Sequence, residues 1–155
     1  MKVVDSQLLQ QVSEQARISS RLRKNHNFHP SDNSRSHRLL NAIEPHSYIP
    51  PHRHLDQEKD AAFILLSGTL GIITFDDNGA IGEKVLLSAE TGNLAVDIPH
   101  GVFHTALALT SGTVFYEAKA GPYQPLSEEE KACWAPEENS GESALYLIKL
   151  EQLFR

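Results

Sequence analysis

The chain has 155 residues, of which 40% are hydrophobic and 22% charged, and its formal net charge is −6. This is one domain's length with enough apolar material for a core, which excludes a disordered chain and leaves no room for a second domain. The acidic balance argues against a nucleic-acid partner, because phosphate neutralisation needs a broad basic face. Cys133 is the only cysteine, so an internal disulfide and an all-cysteine metal site are both excluded. No stretch reaches the ~18 apolar residues of a membrane-spanning helix, and the first residues lack the apolar run of a secretory leader. The expectation is a cytoplasmic protein with no membrane contact.

In chain order, Asp5 or Ser6 caps a short helix in which Leu8, Leu9, Val12 and Ala16 form one apolar stripe, ending near Ser19. Arg21 to Asn33 is polar and turn-rich, with no strong period. From Ser34 onward, short apolar runs are separated by Gly, Pro, Asp and Asn, the rhythm of an antiparallel sandwich or barrel. Strands are expected near Ser36–Ile43, Tyr48–His54, Ala62–Leu66, Thr69–Phe75, Glu83–Leu87, Leu94–Ile98, His104–Ala108 and Thr113–Ala118. Asp76-Asp77-Asn78-Gly79 is a hairpin turn, since Asn-Gly supplies the positive φ that tight turns need. After Gly121-Pro122, Ser127 and Glu130 spell a capping box for a short helix ending before Trp134. A last helix is expected from Ser143, with Leu145, Ile148, Leu153 and Phe154 sharing a face. The organisation expected is an N-terminal helix and extension over 1–34, a barrel over 35–120 and a helical tail over 121–155, together one domain.

The chemistry is concentrated in histidines. In Pro51-His52-Arg53-His54, residues two apart on an extended segment project to the same side, about 6–7 Å apart along the chain. In Pro99-His100-Gly101-Val102-Phe103-His104, a Pro and a Gly make a turn that delivers His104 onto the next strand. Neutral imidazole is a common ligand for divalent transition metals, and a barrel can bring distant strands together on one interior. Three such rings make the fixed part of a site with open positions for water or substrate. A surface or core role explains most isolated His-x-His pairs; the third ring changes the balance.

These two segments resemble the cupin motifs. His52, His54 and Gly68 fall in the first, and Gly92, Pro99, Gly101 and His104 in the second, with six rather than five residues between Gly92 and Pro99. A resemblance over nearly the whole chain is to the WbuC-type cupin metalloproteins found with bacterial O-antigen polysaccharide genes. It is carried by Asn25-His26-Asn27-Phe28-His29, Arg38-Leu39-Leu40, Ser47 to His54, Gly121-Pro122-Tyr123 and Trp134-Ala135-Pro136. The resemblance implies a mainly β cupin jelly roll, also called a double-stranded β-helix. It further implies one divalent metal (Fe, Mn, Ni or Zn) on His52, His54 and His104, and a homodimer.

One departure from the motif stands out: its metal-binding glutamate falls on Ala61, which has no ligand atom. Either three neutral histidines and water complete the site, or Glu58 or Asp60 reaches in; the first is preferred, since Asp60 would point to the opposite strand face. Losing the carboxylate leaves the site more positive by one charge and favours an anionic ligand. Asp97 and His29 are candidates for proton transfer or for orienting a ligating ring, Asp97 having a solvent-facing strand carboxylate as its alternative. Asn25, Asn27, His29 and Arg38 are candidates to line the barrel mouth and bind substrate. Tyr48, Phe103, Tyr116 and Trp134 are read as core or oligomer contacts. The reading is a metal-dependent enzyme, isomerase, epimerase or dioxygenase in type, acting on a small carbohydrate or carboxylate. The alternatives are a non-catalytic metal-anchored binding protein and a three-histidine iron oxygenase.

Overall fold

A computed structural model describes residues Met1 to Arg155. It has a helix α1 (Ser6–Ile18), eight strands and a second helix α2 (Ser143–Glu151) that runs into a 3-10 turn at Gln152–Phe154. The strands are β1 (Arg23–Asn27), β2 (Ser36–Ile43), β3 (Ala61–Ser67), β4 (Leu70–Phe75), β5 (Ile81–Leu87), β6 (Ala95–Ile98), β7 (Phe103–Ala108) and β8 (Thr113–Ala120). They form two antiparallel sheets, one ordered β1-β2-β8-β3-β6 and the other β5-β4-β7. No helix is long and apolar enough to cross a membrane.

Alternation along the strands sorts side chains into layers. Ile43, Ala61, Phe63, Ile72, Leu87, Ile98, Ala106 and Phe115 point between the sheets and make one core drawn from both. The opposite phase of β2 and β8, Leu40, Ala42 and Val114, faces out and is covered by Val12 and Ala16 of α1. Full burial of Val12 contributes about 1.5–3 kcal/mol to that docking. Asp5 caps α1 as expected, its Oδ1 accepting from Leu8 N at 2.9 Å. On the outer face of the smaller sheet, Ile73, Phe75 and Leu107 are covered by Ala132, Trp134, Leu147 and Leu150 from the tail.

Four expectations need correction. Arg23–Asn27, which has no apolar period, is a strand: it is an edge, exposed along most of its length, and its ladder to β2 needs no buried face. Tyr48–His54 is not a strand, because Pro50 and Pro51 lack N–H groups and the ladder cannot run through them. Only His52 pairs, donating to His104 O at 3.1 Å and accepting from His104 N at 2.9 Å. The Ser127–Glu130 box forms only one of its bonds, Ser127 N donating to Glu130 Oε2 at 2.9 Å, and the segment stays a turn. Its backbone is engaged elsewhere: Arg53 N donates to Glu130 O and Ala132 N to Pro51 O. Finally, α2 docks through Leu147 and Leu150, leaving Leu145 and Ile148 exposed.

Gly68 sits in the tight link between β3 and β4 with φ +79°, where a Cβ would lie 2.6 Å from the Thr113 Cα. Both the left-handed backbone and the contact exclude a side chain. Gly68→Ala is therefore expected to lower unfolding free energy by roughly 2–4 kcal/mol. Denaturant titration measures this, and a loss under about 0.5 kcal/mol would contradict it.

Candidate metal centre

The loop that carries His52 and His54 is fastened to the β6–β7 turn. Besides the two-way bridge between His52 and His104, Gly101 N donates to His54 O at 2.7 Å. Gly101 has φ +76°, the left-handed conformation that lets the Pro99–Val102 turn close and start β7 one residue before His104. The result is a convergence of three rings, with centroids 4.8 Å apart for His52–His104, 5.4 Å for His52–His54 and 6.1 Å for His54–His104. One nitrogen from each lies within 4.8 Å of the others.

The tautomers are set by backbone carbonyls. His52 Nδ1 lies 3.1 Å from Pro50 O, and His104 Nδ1 lies 2.9 Å from Val102 O. A carbonyl can only accept, so each Nδ1 carries the proton and each Nε2 presents a lone pair. This is the outer-shell arrangement that metal-ligating imidazoles show, and two rings held in it with a third converging on them fit a divalent ion. Burial pushes all three rings down to about 4, with neighbouring positive groups (the other imidazoles and Lys119) adding to the effect. They are neutral at pH 7, the form that binds metal.

The rings open into a cavity of about 1390 Å³. Its inner wall is the inward face of the larger sheet, where Asn41 (β2), Glu117 and Lys119 (β8) and Phe63 (β3) stand beside the imidazoles. Asn41 Nδ2 donates to Glu117 Oε2 at 2.7 Å, and Lys119 Nζ lies 2.7 Å from Glu117 Oε1. Burial pushes the Glu117 carboxyl up, but Lys119 and Asn41 outweigh it and hold it below the usual carboxylate range, so it is ionised. None of Asn41, Glu117 and Lys119 was a sequence candidate. The available signal was the alternation of β8, in which Phe115, Glu117 and Lys119 share the inward phase and place two charges where apolar side chains are expected.

The other candidates are placed as follows. Ala61 is buried on the inward face, directly opposite Lys119 in the β3–β8 register. Glu58 is exposed, and Asp60 Oδ1 accepts from His100 N at 2.8 Å and lies 2.8 Å from His100 Nδ1, so neither joins the three rings. Asp97 is exposed and pairs with Ala62, the outward phase of β3. His29 is buried under the loop before β2, its Nδ1 accepting from Arg38 N at 3.2 Å and its ring stacked on His37. Asn25 lines the cavity; Asn27 and Arg38 do not. Arg38 instead borders a smaller outer depression with Lys2, Phe28 and Tyr116. Tyr48, Phe103 and Trp134 pack beside the smaller sheet, and Tyr48 Oη donates to Pro136 O at 2.8 Å.

The family described as "Domain of unknown function (DUF6016)" matches residues 4–87, more than half of the chain. The chain belongs to that family. No curated protein matches it in sequence. KdgF from Halomonas sp. is similar in structure, with 17% identity over 69% of this chain and 85% of that chain and a TM-score of 0.52. TT1209 from Thermus thermophilus is similar at 20% identity over 78% of this chain and 98% of that one, with a TM-score of 0.53. A cupin superfamily protein from Desulfitobacterium hafniense has 15% identity over 63% and 76% of the two chains and a TM-score of 0.49. At such identities the likeness concerns fold alone, and that fold is mainly β, two antiparallel sheets packed on one core with one helix ahead of them and one behind.

Proposed function

We propose that this DUF6016 chain is a metal-dependent enzyme whose single divalent ion is held by His52, His54 and His104 and whose cavity takes a small carbohydrate or carboxylate. The observation that carries the reading is the convergence of three neutral imidazoles, two of them with Nδ1–H donated to a carbonyl and Nε2 free. A divalent ion there, Fe, Mn, Ni or Zn, would polarise a ligand oxygen and lower the pKa of bound water. The wall supplies the rest: Glu117 and Lys119 can accept and donate protons within the same cavity, which favours an enzyme over a passive binder. The resemblance to WbuC-type cupins supports a role in surface-polysaccharide metabolism. It is also the basis for proposing a homodimer, while the lone cysteine supports a reducing, cytoplasmic setting.

Elemental analysis of protein purified without added metal is expected to find close to one transition-metal ion per chain. Stripping that ion and restoring it at a hundredfold excess over its dissociation constant should raise unfolding free energy by about 2.7 kcal/mol. Absence of metal, together with no stabilisation by Fe, Mn, Ni or Zn, would defeat the reading.

A further inference from the structure

Lys119 stands out because its position in the cavity is unlike that of the other cations there. Arg21 and Arg23 are both committed to Glu138 at 2.7 Å and Lys131 to Glu128 at 2.6 Å, while Lys24, on the edge strand β1, and Lys59, in the loop before β3, border the cavity without an ion pair. Lys119 instead stands on the inner wall, its side chain 22% exposed, with Glu117 as its one ion-pair partner. An ammonium has three donors, so two remain for a ligand. Opposite it in the β3–β8 register is the methyl group of Ala61, and the space a longer residue would take there is left to Lys119 and whatever it binds.

The charges beside the imidazoles then decide the ligand's sign. Glu117 and Lys119 cancel one another, three neutral imidazoles add nothing, and Glu130, on the His54 side, has its oxygens taken up by Leu55 N and Ser127 N, so any ion the rings hold keeps most of its positive charge. A single ammonium matches a carboxylate. Phosphate sites draw on a helix N-terminus, an Arg fork or several cations, and here both helices lie outside the barrel, both wall arginines are engaged, Lys24 sits opposite Ala42 in the outward phase of the sheet, and Lys59 lies in the loop before β3. The remaining wall groups, the Asn41 amide and the Glu117 oxygens, suit hydroxyl groups.

We propose that Lys119, oriented by Glu117, is the carboxylate-binding half of the ligand site, so that the cavity takes a small hydroxylated carboxylic acid. Its carboxylate lies on the Lys119 ammonium and its hydroxyls reach toward Asn41, Glu117 and the imidazoles. This deepens the metal reading and rests on it for what the imidazoles hold.

The test uses the intact chain and two probes of equal length that differ only in charge, D-gluconate and D-glucitol. Calorimetric titration is run on protein loaded with cobalt(II) and on protein stripped of metal. The parent should prefer gluconate, and Lys119→Met should weaken gluconate by about tenfold or more while leaving glucitol unchanged, with Lys119→Arg restoring most of the preference. Glu117→Gln removes a negative charge beside the bound carboxylate and should tighten gluconate several-fold. A pair that only holds the strands together would weaken both probes in both variants, and that pattern overturns the proposal. So does equal gluconate binding by parent and Lys119→Met in loaded and stripped protein alike. Cobalt stoichiometry in the same samples reports on the metal reading separately: Lys119-dependent binding in stripped protein supports the subsite even where cobalt fails to load.

Discussion

His104→Ala is expected to purify without stoichiometric metal and to bind added divalent ion more than a hundredfold more weakly than the parent. Changes to outer-shell partners of a ligand alone cost about ten- to a hundredfold in affinity, and loss of a ligand exceeds that. His104 is the best placed of the three: it is 4% exposed, it donates Nδ1–H to Val102 O, and its backbone bridges to His52 in both directions. His52→Ala and His54→Ala should behave alike. His100→Ala is the control, since that ring is exposed and turned to Asp60, and it should keep full metal. A chelator competition across the four variants settles the point. Parent-like affinity in His104→Ala would remove the ion from between these rings.

The parts of this architecture legible in the sequence are those in which one residue type has one physical use. Ser36–Ile43 reads as a strand and is one, because from Leu39 to Ile43 every residue is buried and alternate residues face opposite sides of the sheet. The convergence of His52, His54 and His104 is legible because two histidines two apart and a third delivered by a Pro-Gly turn can meet on one barrel interior. Arg23–Asn27 is illegible for the opposite reason: an edge strand exposed along most of its length carries no periodic demand. The tail misleads because its local signals are real but outbid. Glu130 does accept from Ser127 N, yet the neighbouring backbone groups are taken by Pro51 and Arg53, a contact about 75 residues away that no local pattern contains. Asn41, Glu117 and Lys119 were missed since polar residues on an apparent core face are read as outward-facing until the register between β2, β8 and β3 is known.

Metal-free protein is expected to lose stability steeply between pH 6.5 and 4. Burial, the leading cause, and the neighbouring imidazoles hold His52 and His104 at about 4 in the folded chain, against 6.5 for an unhindered ring. Between those values the unfolded chain binds protons that the folded chain refuses, so unfolding becomes easier as pH falls. The stabilisation is fully present above pH 6.5 and lost by pH 4. A tenfold change in proton affinity between folded and unfolded chain is worth about 1.4 kcal/mol, so two rings held at about 4 against 6.5 amount together to roughly 7 kcal/mol, comparable to the whole stability of a modest domain. His54 should add to this in the same direction, reduced by its greater solvent contact. Glu117, held low by Lys119 and Asn41 against its burial, adds its own loss only further down, as pH falls through the carboxylate range. Urea titrations of stripped protein at pH 7.5, 6, 5 and 4.5 measure the slope. The double variant His52→Gln/His104→Gln, which cannot take up those two protons, should flatten it over the same interval. A stripped parent equally stable at pH 7.5 and 4.5, or a double variant with an unchanged slope, would show that these rings are not buried as neutral groups, and with that the preorganised centre would go.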